Sequence, residues 1–72
     1  MSFNYGKLKG RIIEMYGTQT SFAESLGVST RTLSLKMNNR IYFTQDEIAK
    51  AARLLDIDMT DINSYFFTQN VQ

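Results

Sequence analysis

The sequence predicts an all-α domain, a compact bundle of about five short helices. Two observations carry this prediction. Apolar residues recur at three- and four-residue spacing along most of the chain, and capping residues or glycines separate these runs at short intervals. The chain has 72 residues and no proline, which suits uninterrupted helices around a single core. With no cysteine or histidine for disulfides or metal sites, its stability is expected to come from helix packing alone or from packing helped by a partner.

Helix 1 is predicted from an apolar stripe that a glycine ends. Leu8, Ile12, Met15 and Tyr16 recur at helical spacing. We therefore expect them to share the inward face of one helix. Gly17 follows as a C-terminal signal, so the helix is expected to end just before it.

Helices 2 and 3 are predicted to form a helix-turn-helix over residues 19–38. Thr18 is placed to cap helix 2, Gly27 to end it, and Ser29 to cap helix 3. The turn is so short that the two helices must cross steeply rather than lie antiparallel. Their common core is expected to contain Phe22, Ala23, Leu26, Val28 and Leu33.

The second half of the chain predicts two further helices. Thr44 and Glu47 match the S/T-x-x-E pattern of a capping box that opens helix 4, and Asp58 is placed to cap a short last helix. In the loop before helix 4, Ile41 or Phe43 is expected to turn back to the core. The inward positions that follow are Ile48, Ala51, Ala52, Leu55, Ile57 and Ile62.

Residues 1–64 are thus predicted to form the helix-turn-helix domain, and residues 65–72 an aromatic C-terminal tail. Two roles are open for this tail. Its large apolar side chains complete the core, or they form the contact of a homodimer. The residues concerned are Tyr65, Phe66, Phe67 and Val71.

Composition excludes several classes of function. The chain has no cysteine and no histidine, which excludes disulfides, thiolate or histidine metal sites and histidine acid–base catalysis. No nucleophile–base pair or phosphate loop is present, so we expect neither catalysis, nor a cofactor, nor a small-molecule substrate. The sequence also lacks a signal peptide and any apolar run of membrane-spanning length. A cytoplasmic location without membrane contact is expected.

Charge is unevenly distributed along the chain. Residues 1–40 carry six Lys and Arg against two Glu, a net charge of +4. Residues 41–72 carry two basic against five acidic residues, a net charge of −3. A basic half beside an acidic half is typical of a domain that presents one end to a polyanion.

The segments "TQTSFAESLGVSTRTLS" and "FTQDEIAKAARLLDI" resemble the Cro and CI-type repressors of temperate phages, the XRE family of helix-turn-helix regulators. The resemblance covers residues 5–62. More narrowly, "SLKMNNR" followed by "FTQDEI" resembles the small Cro-like regulators and modulators of repression, or antirepressors, of phages of Gram-positive bacteria. This resemblance implies a lambda-repressor-like fold. It also implies that the protein acts in a bacterial host cell, with operator DNA or a CI-type repressor as its partner.

Candidate DNA contacts lie on helices 2 and 3. The start of helix 2, with Gln19, is expected to bind a phosphate, because free backbone N–H groups point outward there. Arg31 is the strongest candidate for reading a base, since a guanidinium can bond guanine O6 and N7 together. Lys36 is expected to extend its ammonium to a phosphate, and the residues after helix 3 to meet the DNA backbone. The full set is Gln19, Thr30, Arg31, Ser34, Leu35, Lys36, Asn38, Asn39 and Arg40.

Leu35 lies about 200 degrees round the helix from Leu33, so it is expected on the outer face if Leu33 is in the core. Three interpretations are open: an incidental exposed leucine, a contact with a thymine methyl group, or an anchor for a partner protein. The sequence does not separate the last two.

Two functional hypotheses follow. In the first, the chain is a Cro-like repressor that binds operator DNA as a dimer through helix 3 and controls the choice between lysogeny and lytic growth. In the second, it is an antirepressor that binds the DNA-binding domain of the phage CI repressor and blocks or alters its operator binding. The candidate protein contacts are Leu35, Tyr65, Phe66, Phe67 and Val71.

Overall fold

Five α-helices and one short 3₁₀ helix make up the computed structural model, which describes residues 2–70. The elements are α1 (Gly6–Tyr16), α2 (Gln19–Leu26), α3 (Thr30–Met37), α4 (Gln45–Leu54), a 3₁₀ helix (Met59–Asp61) and α5 (Ile62–Phe66). α1 packs on α2 and α5, and α2 packs on α3 and α4. The predicted all-α bundle of about five helices is confirmed.

Side-chain caps open α2, α3 and α4 at the predicted residues, Thr18, Ser29 and Thr44. Each hydroxyl accepts a hydrogen bond from the backbone N–H three residues further on, at 3.0 to 3.1 Å. The carboxylate of Glu47 accepts the N–H of Thr44 at 2.9 Å and completes the capping box. α2 ends at Gly27, whose φ of 91° lies in the left-handed region that glycine adopts without strain. Local sequence therefore determines where these helices begin and where α2 stops.

The inward face of α1 differs from the predicted stripe at one position. Leu8 and Ile12 are buried as expected, and Tyr5 extends the stripe toward the N-terminus. Met15 is 45% exposed, because Tyr16 continues the stripe in its place and packs against the core. The remaining core residues are Phe22, Ala23, Leu26, Leu33, Ala51, Ala52, Leu55, Ile57 and Phe66.

Aromatic side chains close the end of the bundle where the two terminal segments meet. Phe43 turns back to the core, and its ring meets those of Tyr5 and Phe66 edge-on, with centroids 5.5 and 5.4 Å apart. Phe3 and Gln69 form a single antiparallel bridge beside this cluster. The segments before α1 and after α5 are therefore joined to each other and to the loop that precedes α4.

The aromatic tail begins later than the predicted residue 65. α5 continues to Phe66, so Tyr65 and Phe66 belong to a helix. Phe66 is almost fully buried, so of the two roles left open for the tail it takes completion of the core rather than a dimer contact. Tyr65 is half-buried against the core, and Phe67 is exposed beside Phe3. Val71 lies outside the described residues.

Candidate functional site

α3 presents one inward face and one outward face. Leu33 is fully buried and Lys36 is only 5% exposed, so these two side chains point to the interior. Thr30 and Arg31 are exposed. Leu35 is half-buried but does not belong to the residues that pack against the core. It therefore lies on the outward face, as predicted, although it is less exposed than expected.

A polar cleft of about 350 Å³ lies between α1, the start of α2 and α3. It brings together three of the predicted DNA contacts, Gln19, Ser34 and Asn38, and adds Lys9 from α1. The cleft thus offers an ammonium, two carboxamides and a hydroxyl, a set of donors suited to an oxyanion such as a phosphate or a carboxylate. Its other lining residues are Tyr5, Gly6 and Met37.

Lys36 does not extend toward a phosphate, and that prediction is wrong. Its ammonium lies 2.8 Å from the carboxylate of Glu47 at the start of α4 and donates to the backbone carbonyl of Tyr42 at 2.9 Å. It also lies 5.8 Å from the centroid of the Phe43 ring. These partners compensate for the water that a buried charge loses. Lys36 therefore links α3 to α4 and holds the loop between them.

The carboxyl group of Glu47 has a lowered pKa. Partial burial acts to raise the pKa, but hydrogen bonds from Lys36 and Thr44 together with the Lys36 charge outweigh burial. The pKa of Glu47 therefore lies below its ordinary value of 4.5, and the ion pair is complete at neutral pH.

Asn39 holds the N-terminal segment, a role that the sequence did not predict, and its contact with the DNA backbone stays a prediction. Its carboxamide oxygen accepts the N–H of Phe3 at 2.8 Å, and its amide donates to the carbonyl of Phe3 at 2.9 Å. The backbone of Asn39 has a φ of 63°, a left-handed conformation that asparagine tolerates better than most residues. Asn38 donates back to the carbonyl of Ser34 at 2.9 Å. Among these predicted backbone contacts, Arg40 alone is exposed with no side-chain hydrogen bond within the described residues.

Three of the six basic residues of the first half of the chain contact other groups of the fold: Lys36, Arg11 and Lys7, whose ammonium lies 4.7 Å from the centroid of the Tyr65 ring. Besides Lys36, Arg11 donates to two backbone carbonyls just after α4, at 2.9 and 3.4 Å, and to Glu14 at 2.6 Å. Arg11 thereby satisfies carbonyls that the end of α4 leaves free. Arg31 on α3 and Arg40 just after it are exposed, and Lys9 lines the cleft with Ser34 and Asn38.

Two exposed apolar residues next to α3 are absent from the predicted contacts. Tyr42 is 73% exposed and Ile41 is 41% exposed, both on the loop that follows α3. The sequence leaves open whether Ile41 or Phe43 turns inward, and the structure selects Phe43. Three large apolar residues in one short loop signal that at least one stays outside, but the run does not show which.

Residues 2–70 contain neither a candidate metal site nor a candidate membrane-spanning helix. This part of the chain holds no group of three or more acidic, cysteine or histidine side chains that could bind a metal ion. It also holds no helix of the length and apolar character needed to cross a membrane. The candidate contacts of the cleft and of the outward face of α3 are therefore ordinary polar and apolar side chains.

A family model described as "Protein of unknown function (DUF739)" matches residues 1–69. The chain belongs to this family. A comparison with the curated proteins gives no match.

One solved structure resembles this DUF739 member along its whole length. It is the solution structure of the modulator of repression (MOR) of the temperate bacteriophage TP901-1 from Lactococcus lactis. The two chains share 44% sequence identity and superpose with a TM-score of 0.82, covering 100% of this chain and 97% of that one. The resemblance to phage modulators of repression is confirmed, whereas the wider relation to Cro and CI-type regulators stays a prediction.

We predict that Glu47→Gln lowers the free energy of unfolding of this DUF739 member by about 1–3 kcal/mol, because Lys36 loses its charged acceptor. A carboxylate whose pKa is lowered by folding stabilises the protein above its ordinary pKa, and this contribution is lost as the pH falls through the folded value. Chemical denaturation between about pH 3 and 7 should therefore show the two proteins converging in stability at acidic pH. A difference that stays constant over this range would contradict a stabilising charge on Glu47.

Asn39→Gly is expected to release the N-terminal segment while keeping the left-handed backbone, which glycine adopts freely. Loss of two hydrogen bonds should lower the free energy of unfolding by about 1–2 kcal/mol and speed amide hydrogen exchange at Phe3. Asn38→Ala is the control, because it removes a bond within the end of α3 only. Exchange at Phe3 that is equal in both variants would show that Asn39 does not hold this segment.

Proposed function

We propose that the chain is a modulator of repression, which binds the DNA-binding domain of a phage CI-type repressor and blocks or alters its operator binding. The observation that carries this proposal is the full-length similarity to MOR of phage TP901-1 at 44% identity. This identity exceeds what the buried core could supply, so surface residues share in the match. We expect the chain to act without catalysis in the cytoplasm of the host bacterium, where repressor and operator meet.

The charge of α3 supports a protein as the main partner. Phosphate contacts supply much of the affinity of a DNA-binding protein, and each one needs an accessible cation or donor. Lys36 is withdrawn into an ion pair, and Asn39 is bonded to the N-terminal segment. The net charge of the whole chain is only +1. These features weaken the expectation of tight, autonomous operator binding.

The apolar residues beside α3 also support a protein partner. Leu35 lies on the outward face, and Ile41 and Tyr42 are exposed on the loop directly after the helix. Arg31 is exposed on the same helix. Tyrosine and arginine are enriched at the energetically important positions of protein interfaces, where an apolar centre is surrounded by polar groups.

The proposal is tested with labelled operator DNA occupied by the CI-type repressor of the same phage. Adding the chain should change the occupancy of the operator in proportion to the amount of repressor that the chain binds. An occupancy that a large excess of the chain leaves unchanged would sink the proposal. The chain added to free operator DNA is the control, because it detects direct DNA binding.

Leu35→Asp is expected to abolish or strongly weaken repressor binding by the α3 face, since it places a carboxylate where an apolar anchor is proposed. Leu35 does not pack against the core, so the thermal midpoint should fall by only a few degrees. Co-purification and calorimetric titration with the repressor are the measurements. Repressor binding by Leu35→Asp at wild-type strength would remove Leu35 from the interface.

Operator binding by the chain itself is the second candidate function. The polar cleft favours it, because Gln19 and Lys9 lie there together with Ser34 of α3 and with Asn38. If the chain binds operator DNA, its affinity should fall steeply with salt, and Arg31→Ala should lose about 1–3 kcal/mol of discrimination at one base pair. Fluorescence anisotropy with operator and scrambled duplexes measures both. Equal affinity for the two duplexes would leave the cleft without a role in operator recognition.

A homodimer contact remains a proposal for the tail. Among its described aromatic residues, Phe67 is the exposed one, and its ring meets Phe3 edge-on with the centroids 6.0 Å apart. Phe67 and Phe3 together would form the apolar centre of such a contact, which sedimentation of the chain at increasing concentration would detect.

A further inference from the structure

A second surface lies away from α3, in a groove of about 520 Å³ between α4 and the 3₁₀ helix. Its floor is apolar, because Ala52 and Ile57 are buried beneath it. Neither the candidate DNA contacts nor the candidate protein contacts on α3 line it. The lining residues are Ala49, Ala52, Arg53, Asp56, Ile57 and Met59.

Met59 gives this groove an exposed apolar wall. Its side chain is 77% exposed, the largest exposed fraction among the large apolar residues of the described chain. Ala49, on the opposite element, is also exposed and leaves space where a larger side chain would fill the groove. Methionine is flexible and polarisable, and it adapts to the shape of an incoming apolar side chain. The groove is therefore suited to the apolar face of a partner helix.

The rim of the groove is acidic. Asp56 lines it, and the exposed Asp58 lies between two lining residues in the chain. Asp46 precedes Ala49 by one turn of α4 and therefore extends from the same side of that helix. Hydrogen bonds from the backbone and hydroxyl of Thr60 lower the pKa of Asp58, which keeps it ionised.

Asp56 is held in place by its backbone. Its φ of 53° is left-handed, its N–H donates to the carbonyl of Arg53 at 3.3 Å, and its own carbonyl accepts from Arg11 at 3.4 Å. The carboxylate is thus presented from a fixed turn rather than from a loose loop. Arg53 lines the groove with Asp56, and the guanidinium of Arg11 lies behind the turn at the carbonyl of Asp56, so two cations stand against the three carboxylates at or beside the groove.

We propose that this groove is the docking site for a cationic, amphipathic helix on the DNA-reading side of the repressor's DNA-binding domain. The inference rests on the proposed function, because a domain that binds DNA must present cations to the phosphates. The acidic rim has the opposite sign and attracts such a helix. The outward face of α3, with Arg31 and Arg40, has the same sign and repels it.

In a complex with the repressor, the groove and the outward face of α3 would then have different roles. The groove covers the cations that the repressor would otherwise offer to operator phosphates. The face of α3 with Leu35 is left to contact another part of the repressor, because like charges oppose its approach to the DNA-reading side. Modulation of repression follows from competition between carboxylates of this chain and phosphates of the operator for the same cations.

Met59→Lys and Met15→Lys form a matched pair for the test. Both replace an exposed methionine by lysine and add one positive charge, but Met15 lies on α1 and does not line the groove. Binding to the purified DNA-binding domain of the CI-type repressor of the same phage is measured by calorimetry at several salt concentrations. Met59→Lys should weaken binding about tenfold or more, and Met15→Lys by less than about threefold.

Asp56→Asn provides an independent variant. Asparagine tolerates the left-handed backbone of this position, so the substitution removes the charge with little effect on the fold. We expect binding about threefold to tenfold weaker, with a smaller dependence on salt than in the wild type. If thermal melting shows that Met59→Lys is unfolded, Ala49→Lys, at an exposed helical position, takes its place.

The outcomes separate the two proposals. Wild-type binding with equal affinities of the Met59→Lys and Met15→Lys variants would overturn the groove and leave the modulator function standing. A wild-type chain that binds no repressor would overturn both. A loss of affinity confined to the groove variants, together with a smaller salt dependence for Asp56→Asn, would establish the groove as the contact.

Discussion

The ion pair between Lys36 and Glu47 fixes the position of α3, and the candidate functional surface depends on it. α3 contributes one fully buried apolar side chain to the core, Leu33, so apolar packing alone holds it weakly. The same oxygen of Glu47 bonds the ammonium of Lys36 and the N–H of Thr44. One carboxylate therefore starts α4 and anchors α3. An unpaired charge at this depth would be costly, which makes the arrangement specific.

This arrangement changes the character of the face that α3 presents. A helix that reads DNA needs cations around it, whereas the one lysine of α3 is turned inward. The backbone carbonyl of Tyr42 accepts a hydrogen bond from the ammonium of Lys36, while the Tyr42 ring is exposed to solvent. The result is a surface of mixed apolar and cationic residues, closer in composition to a protein interface than to a phosphate-binding one.

The basic first half and the acidic second half of the sequence contribute charges to different surfaces of the fold. Lys9, Arg31 and Arg40 lie with α3 and the polar cleft. Asp56 lines the apolar groove beside α4 together with Arg53, and Asp46 and Asp58 lie next to it. A small domain with two surfaces of opposite sign can cover a DNA-binding partner while presenting the wrong charge for DNA on the covering side. Its similarity to a phage modulator of repression agrees with such an arrangement.

The sequence by itself determined the features whose signals are local. A cap joins residues three positions apart, so Thr18, Ser29 and Thr44 could be recognised from the chain alone. Helical periodicity likewise separated Leu33 from Leu35. Tertiary structure decided the features whose partners lie far along the chain or across a loop. The charge of Lys36 was visible in the sequence, but its use depended on Glu47, which only the return of α4 brings near.

The same reason explains the residues at the ends of the chain and in the groove. The sequence placed Phe66 in a tail, whereas in the structure its ring is buried in the aromatic cluster with Phe43 and Tyr5. Asn39 bonds a peptide group 36 residues away, which no spacing rule could indicate. Local rules fix which residues begin a helix and which share its face. Whether an aromatic ring or an ammonium lies in the core, at a partner surface or in solvent depends on interactions with groups that only the tertiary structure brings together.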